Sequence, residues 1–350
     1  MSTKRILAIM LSLVMVMALF VGCGSSQDSS EDASNENGAE APAGDVDEPI
    51  VLRLADNHNE GYPTVKGDRK FAELVEERTD GKIKIEVYPG GQLGDEKSVI
   101  EQVQFGAIDF TRTSISPLTE FNKDLSVLML PYLYRDRDHM FKVLDGEVGD
   151  KFLKSLEDND MLGLCWFDGG SRNFYNAKKE VKTVEDMKGL KIRVQQSKLM
   201  MDLVTAVGAS PTPMTFGEVY SALQTGVIDG AENNWPSYLS TSHYEVAKYF
   251  TVDEHTRVPE MILVSKMTYD KIPDEYKPII EEAAKEAALY QREEWEKAAK
   301  EAEEKVVENG NVITRIDEEA RKGFQDAVKP LYEEFGAGQE DIIEKILNTK

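Results

Sequence analysis

The sequence is poor in cysteine, with two in 350 residues. Cys23 lies at the end of an N-terminal apolar segment, so only Cys165 remains in the body of the chain. One cysteine cannot form an intrachain disulfide, although the N-terminal segment predicts an oxidising, extracytoplasmic location. We therefore expect the fold to depend on a large packed core rather than on covalent cross-links.

Positive charge is also scarce. The chain has 41 Lys and Arg residues against 64 Asp and Glu residues, which gives a net charge of −23. Such an excess repels phosphate backbones and anionic headgroups, so neither nucleic acid nor an anionic membrane surface is expected as a partner. An anionic ligand would have to be bound by individual arginines, against the field of the whole chain.

Motifs of catalysis, cofactor binding and metal binding are missing from the sequence. It contains no Gly-x-Ser-x-Gly, no His-Glu-x-x-His, no glycine-rich phosphate loop and no Cys-x-x-Cys. The four histidines lie far apart, without the spacing of metal ligands. We therefore predict a binding protein rather than an enzyme, with no cofactor and no metal.

The N-terminus has the pattern of a lipoprotein signal peptide. Lys4 and Arg5 precede an apolar run at 6–21 that is short for a membrane span and ends at Gly22 and Cys23. We predict that residues 1–23 are the signal peptide. Lipidation of Cys23 would then anchor the protein in the lipid bilayer, at the outer face of the cell membrane.

Residues 24–48 contain no aromatic and no basic residue. Such a segment cannot bury enough apolar surface to offset the entropy lost on ordering. We predict that it is a disordered acidic linker between the anchor and the folded part of the chain.

Strand and helix signals alternate from residue 50 onward. Residues 82–87 alternate polar and apolar side chains like a half-buried strand, and residues 64–79 have the apolar face of a helix. Residues 103–110 and 223–230 share a Gln, a Gly two residues later and then Ile-Asp. These patterns predict an α/β protein of two similar lobes, each with a mostly parallel sheet and a ligand site beyond the strand ends.

Residues 273–308 are rich in Ala, Glu and Lys. A single helix of that length would span roughly 50 Å, which is wider than one lobe. We predict that it crosses both lobes, which would close around a ligand at a hinge. The predicted lobe I comprises residues 49–170 plus about 259–298, and lobe II comprises residues 171–258 plus about 299–350.

Two arginines and an amide-rich turn are candidate binding groups. Arg172 follows a predicted strand, and Arg193 lies on a predicted strand between apolar residues. A guanidinium pairs with a carboxylate through two parallel hydrogen bonds and stays charged when desolvated. The turn that contains Asn233, Asn234 and Trp235 offers amides beside an indole. The alternatives are an edge salt bridge for a strand arginine and a packed turn for the asparagines.

Several of these segments together resemble the solute-binding subunits of TRAP transporters. The similar segments include Gly-Ala-Ile-Asp-Phe at 106–110 and Gly-Val-Ile-Asp-Gly-Ala-Glu-Asn at 226–233, with further ones at 91–94, 188–194, 208–214 and 218–224. The resemblance covers the chain from about residue 50 to its end. It implies a two-lobed, periplasmic-binding-protein-like fold with a long helix across both lobes. It also implies delivery of a small organic acid to the small and large membrane subunits of a transporter.

The resemblance also suggests roles for individual residues. Arg193 corresponds to the principal carboxylate-binding arginine, and Arg172 to a second arginine that assists it. Asn233 corresponds to the amide that completes the anion site, Phe216 to an aromatic ring lining the pocket, and Asn57 to a contact from the first strand. Core packing is the alternative for Phe216, and an ordinary turn is the alternative for Asn57.

The ligand class is predicted from the polar groups that surround the arginines. A C4-dicarboxylate needs two cationic partners, which Arg193 with Arg172 or Arg112 would provide. A hexuronate needs one such partner and several groups for its hydroxyls. His58 and Glu60 follow the first strand and offer such groups, as do Asn57, Asn234 and Trp235.

We predict a hexuronate, glucuronate or galacturonate, with a C4-dicarboxylate as the alternative. Ser114 stands where sialic-acid binders of the family have an acidic residue, which disfavours sialic acid. Two alternatives of another class are a ligand-binding partner of a sensor kinase and a lipoprotein enzyme acting on uronate polymers.

Overall fold

The computed structural model describes residues 48–350. The predicted signal peptide, the lipidation site Cys23 and nearly all of the predicted linker 24–48 lie outside these residues. In the described part of the chain, no helix is both long enough and apolar enough to cross a membrane.

Strands and helices alternate along the described residues, as predicted. The strands are β1 (Ile50–Ala55), β2 (Ile83–Tyr88), β3 (Phe110–Ser114), β4 (Met161–Phe167), β5 (Ser171–Asn176), β6 (Lys191–Val194), β7 (Ser210–Pro213), β8 (Gly230–Asn233), β9 (Tyr249–Arg257), β10 (Glu260–Ser265) and β11 (Val312–Arg315). The helices are α1 (Pro63–Arg78), α2 (Glu96–Gln104), α3 (Ile115–Leu118), α4 (Arg137–Leu144), α5 (Glu147–Lys154), α6 (Lys198–Ala206), α7 (Val219–Thr225), α8 (Trp235–Ser240), α9 (His243–Val246), α10 (Lys266–Lys271), α11 (Lys277–Glu308), α12 (Glu318–Val328), α13 (Pro330–Phe335) and α14 (Glu340–Asn348).

The first sheet, with the helices packed on it, forms lobe I and has the strand order β2-β1-β3-β10-β4. β1 is parallel to β2 and β3, whereas β10 is antiparallel to both of its neighbours. The prediction of a mostly parallel sheet is therefore wrong for β10. The reason is that β10 arrives from the other lobe and enters at the cleft edge, where Glu260 pairs with Ser114 at the end of β3.

The second sheet forms lobe II and has the order β11-β9-β5-β8-β6-β7. β5 is antiparallel to β8 and β9, while β6 is parallel to β7 and β8, so this sheet is mixed as well. Asn173 on β5 pairs with Asn233 on β8, and Arg193 on β6 pairs with Ala231 on β8. The sheet thereby brings Arg172, Arg193 and Asn233 to neighbouring strands, although they are far apart in sequence.

The chain crosses from lobe I to lobe II directly after β4. Gly170 has a positive φ of 65°, and a Cβ at this position would lie 2.9 Å from the indole of Trp295 on α11. Any side chain here would collide with the long helix in a backbone conformation that already favours glycine. Gly170 therefore lets the connection between the lobes run closely over α11.

The long helix α11 has 32 residues, which corresponds to about 48 Å at 1.5 Å per residue. It packs against α1 and β4 in lobe I and against α8 in lobe II. A Cβ on Gly67 of α1 would lie 2.8 Å from the Cβ of Gln291, so the two helices approach closely through a residue without a side chain. The structure confirms the prediction of one helix that crosses both lobes.

The exact lobe boundaries stay a prediction, but the last helix packs on the other lobe than the predicted one. Residues 299–350 were predicted to belong to lobe II, whereas α14 contacts α4 and α5, which belong to lobe I. His139 Nε2 lies 2.8 Å from the carbonyl oxygen of Ile346, and Lys345 pairs with Glu147 at 3.0 Å. These contacts join segments about two hundred residues apart, which a local pattern cannot predict.

Candidate functional site

A cavity lies between the lobes, at the edge where β1, β3, β6 and β8 end. Nearly all of its lining side chains are polar or charged. Lobe I contributes Asn57, His58, Glu96, Arg112, Ser114 and Glu260, and lobe II contributes Arg172, Arg193, Gln195, Phe216, Asn233, Asn234 and Ser237. The cavity lies at the carboxyl ends of parallel strands, where α/β proteins commonly bind ligands.

Arg193 lies on β6 and lines the cavity with only 3% of its surface exposed. Its Nε and Nη2 donate to the carbonyl oxygen of Met214 at 3.0 and 2.7 Å. Among residues 48–350 it forms no ion pair, and its Nη1 donates no hydrogen bond. Burial lowers the pKa of this guanidinium, which nevertheless stays protonated in proteins. A buried cation with unused donors is suited to pair with an anion.

Arg172 lines the same cavity but already has a carboxylate partner. Its Nε and Nη2 donate to the two carboxylate oxygens of Glu232, and Nη2 also donates to the Glu232 carbonyl oxygen at 2.9 Å. Burial opposes ionisation of Glu232, but Arg172 and His255 bring its pKa below the ordinary value. Within the described residues, only Nη1 of Arg172 has no hydrogen-bond partner, so this nitrogen alone is available to a ligand.

Arg112 differs from both because all of its donors are used. A guanidinium has five N–H groups. Nε of Arg112 donates to Asp56 at 3.0 Å, Nη1 donates to Glu260 at 3.1 Å and to Glu96 at 3.3 Å, and Nη2 donates to Asp56 and Asn57. Arg112 therefore cannot bind the second carboxylate of a dicarboxylate ligand without losing one of these hydrogen bonds. The structure therefore gives no support to Arg112 as the second cation of a dicarboxylate site.

The aromatic part of the cavity is formed by His58 and Phe216 from opposite lobes. Their ring centroids lie 4.9 Å apart in an edge-to-face arrangement, and His58 also stacks on Tyr62 at 3.8 Å. Burial and the charge of Arg112 lower the pKa of His58 to about 3. The imidazole is therefore neutral at neutral pH, with one nitrogen that donates a hydrogen bond and one that accepts.

The two asparagines of the predicted turn have different tasks. Asn234 caps α8, because its Oδ1 accepts from the N–H of Ser237 at 2.8 Å while its Nδ2 donates to the carbonyl oxygen of Gly169 at 3.0 Å. Asn233 uses Oδ1 to accept from the N–H of Asn234. Its Nδ2 has no partner in the described part of the chain. Asn233 thus retains a donor for a ligand, whereas the amide of Asn234 serves mainly the fold.

Two predicted ligand residues do not reach the cavity. Glu60 lies on the surface, where Arg69 Nε donates to it at 2.8 Å and lowers its pKa. Trp235 is buried in the core of lobe II, where its ring stacks on Phe250 at 3.9 Å. Both are neighbours in sequence of residues that line the cavity, but successive side chains point in different directions, and Trp235 already belongs to α8. The structure therefore corrects the predicted positions of Glu60 and Trp235.

The structure adds lining residues that the sequence analysis did not identify, namely Glu96, Gln195, Ser237 and Glu260. Glu260 had one recognisable signal, since it is a charged residue directly before four apolar residues of the same strand. Burial raises the pKa of its carboxyl to about 8, with Arg112 opposing and Glu96 adding to the rise. In residues 48–350, no group of three or more His, Cys, Asp or Glu residues is arranged to hold a metal ion.

Comparison with known proteins gives consistent matches over the described residues. Residues 54–339 match the family of bacterial extracellular solute-binding proteins, family 7. A solute-binding protein of Chromohalobacter salexigens is 38% identical over 278 residues, which cover 79% of this chain and 82% of that protein.

Solved structures with similar folds include two TRAP periplasmic solute-binding proteins. The protein from Xanthobacter autotrophicus, with bound β-D-galacturonate, is 40% identical and has a TM-score of 0.83. The match covers 85% of this chain and 100% of that chain. The protein from Roseobacter denitrificans, with bound β-D-glucuronate, is 38% identical and has a TM-score of 0.82. The match covers 86% of this chain and 100% of that chain.

Proposed function

Because the chain belongs to the bacterial extracellular solute-binding proteins of family 7, the solute-binding subunits of TRAP transporters, we propose that its solute is a hexuronate. The proposed ligands are D-glucuronate and D-galacturonate, which are bound in the two similar structures. The protein would capture the sugar acid outside the cytoplasm and deliver it to the small and large membrane subunits of the transporter.

The observation that carries this proposal is that the three cavity arginines differ in how many of their hydrogen-bond donors are already used. Arg193 is buried and has no carboxylate partner in residues 48–350, so a ligand carboxylate would complete it. Nη1 of Arg172 and Nδ2 of Asn233 are further donors for the same carboxylate. The rest of the lining offers amide, imidazole, hydroxyl and carboxylate groups, which suit the hydroxyls of a sugar.

A C4-dicarboxylate remains the second candidate, since Arg193 and Arg172 both line the cavity. It is disfavoured because Arg172 is already paired with Glu232 and offers only Nη1, so a second carboxylate would need a further cation with unused donors. Arg112, the cation on the lobe I side, already donates to Asp56, Asn57, Glu96 and Glu260. The lobe I side therefore presents more negative than positive charge to a ligand.

A thermal-shift screen tests the proposal directly. A ligand that binds only the native state stabilises it by RT ln(1 + [L]/Kd), which is about 2.7 kcal/mol at a hundredfold excess over Kd. D-glucuronate and D-galacturonate should raise the melting temperature by several degrees, while succinate and malate should change it little. The reverse ranking would contradict the hexuronate assignment and support a dicarboxylate site.

The attachment and the movement of the protein are further parts of the proposal. Lipidation of Cys23 would hold the protein at the outer face of the membrane, with residues 24–48 as a linker. Residues 49–170 with 259–298 would move against residues 171–258 as the cleft opens and closes. The crossings after β4 and β9 and the helix α11 would then form the hinge.

A further inference from the structure

The two sides of the cavity carry different charged groups. On the lobe II side, Arg193 and Arg172 have donors that no described residue uses. On the lobe I side, the carboxylates of Asp56, Glu96 and Glu260 surround the single guanidinium of Arg112. The cavity therefore offers hydrogen-bond donors to a ligand from lobe II and mainly acceptors from lobe I.

Glu96 presents one unused carboxylate oxygen. It is the first residue of α2, directly after the N-cap Asp95. Its Oε1 accepts from the backbone N–H of Ser114 at 2.7 Å, from the Thr113 hydroxyl at 3.2 Å and from Arg112 at 3.3 Å. No donor within residues 48–350 reaches its Oε2. Three bonds thus fix the carboxylate in place, and its second oxygen stays available to a molecule in the cavity.

Glu260 has a similar arrangement beside Glu96. Its Oε2 accepts from the same Nη1 of Arg112 at 3.1 Å, and among the described residues its Oε1 has no hydrogen-bond partner. Burial raises its pKa to about 8, so at neutral pH most molecules carry a proton on this carboxyl. A neutral carboxyl can donate one hydrogen bond and accept others, as a sugar hydroxyl also can.

Building on the hexuronate function proposed above, we propose that Glu96, with Glu260 beside it, selects a sugar hydroxyl over a second carboxylate at the lobe I side of the cavity. An ionised carboxylate accepts a strong hydrogen bond from a hydroxyl. The same group repels a carboxylate held in this buried place, because Arg112 is already shared among three acidic residues. The carboxylate of the hexuronate therefore lies toward Arg193, and its hydroxyls lie toward Glu96 and Glu260.

The substitution Glu96→Gln tests the selection with little disturbance of the fold. Gln keeps an oxygen that accepts from Ser114, Thr113 and Arg112, while the unused oxygen becomes an NH₂ donor. Calorimetry at pH 7 should find that D-glucuronate and D-galacturonate bind at least tenfold more weakly, while succinate binds equally well or better. The matched control is Glu101→Gln, an exposed position on the same helix, which should leave both affinities unchanged.

A second variant separates the two glutamates. Glu260→Gln replaces a neutral carboxyl by a neutral amide, so hexuronate affinity should fall less than in Glu96→Gln. If Glu96→Gln does not fold by circular dichroism, Glu96→Asp keeps the charge but withdraws the oxygen. That variant should weaken hexuronate binding and still exclude succinate.

The outcomes distinguish this inference from the function on which it rests. A wild-type protein that binds no hexuronate would contradict the proposed function. A wild-type protein that prefers hexuronates, together with a Glu96→Gln variant that keeps the same preference over succinate, would overturn only the selective role of Glu96.

Discussion

The hydroxyl of Tyr62 in lobe I lies 2.8 Å from the hydroxyl of Ser237 in lobe II. Tyr62 also reaches Oδ1 of Asn234 at 3.3 Å, and its ring stacks on His58. The contact joins the loop after β1 to the first turn of α8 and is buried. If the lobes separate as proposed, this contact is lost, so it would stabilise the closed cleft.

The substitution Tyr62→Phe should weaken ligand binding by promoting the open cleft. Loss of a buried hydrogen bond costs about 1 kcal/mol, which corresponds to roughly a fivefold rise in Kd. Calorimetry with D-glucuronate measures this change. Tyr88→Phe is the control, because the hydroxyl of Tyr88 donates to Glu86 at 2.7 Å and Tyr88 lies outside the cavity lining. Equal affinities of Tyr62→Phe and wild type would argue against the contact as a determinant of closure.

The substitution Arg193→Ala should remove most of the binding. Loss of one partner from a buried charge pair costs about 3–5 kcal/mol, so Kd should rise by more than about a hundredfold. Arg193→Lys should be nearly as harmful, since an ammonium cannot reproduce two parallel hydrogen bonds. Arg315→Ala, at an exposed arginine paired with Glu303, should bind like wild type. Binding by Arg193→Ala within tenfold of wild type would falsify the carboxylate role.

Stability should fall at alkaline pH because of His255. Burial lowers its pKa, but Asp253 and Glu232 outweigh this effect and raise it from 6.5 to about 9. A raised pKa in the folded state means that the stabilising contribution is complete below pH 6.5 and is lost as the pH rises through 9. The free energy of unfolding should therefore decrease across this window by about 3 kcal/mol.

The free energy of unfolding is measured by denaturant titration of wild type and His255→Gln between roughly pH 6 and pH 10, the window set by these pKa values. The difference between the two proteins gives the contribution of His255. Glu260 also has a raised pKa, from 4.5 to about 8. Its effect on stability is therefore lost as the pH rises through that range, which lies below the range of His255. Glu260→Gln therefore serves as the comparison that removes only the earlier decline. An unchanged pH profile in His255→Gln would mean that its neighbours do not stabilise the imidazolium.

The substitution Cys23→Ser should release the protein from the membrane. Without the thiol there is no site for the diacylglyceryl group, and one lost anchor leaves a highly acidic chain with little affinity for anionic lipid. Fractionation of expressing cells followed by immunoblotting measures the distribution. Retention of the variant in the membrane fraction would contradict lipidation as the means of attachment.

The sequence alone indicated the alternation of strands and helices and the long helix, but it did not predict the antiparallel course of β10. Apolar periodicity indicated the alternating strands and helices, and a long segment rich in Ala, Glu and Lys predicted α11 across both lobes. Arg193 was recognisable because a charged residue between buried strand positions must pair either with another residue of the protein or with a ligand. These features depend on neighbours within a few residues, so a linear pattern contains them.

Only the tertiary structure decided which cations remain available to a ligand. Arg172 is paired with Glu232 from a strand that lies 60 residues further along the chain, and the donors of Arg112 are used by three separate segments, which contain Asp56 with Asn57, Glu96 and Glu260. Glu96 and Glu260 meet at one guanidinium although one begins a helix and the other a strand. Ion pairing depends on distances of a few ångströms between side chains, and folding sets those distances without regard to sequence separation. Arg193 is the available arginine because its neighbours in space, rather than in sequence, supply no carboxylate partner.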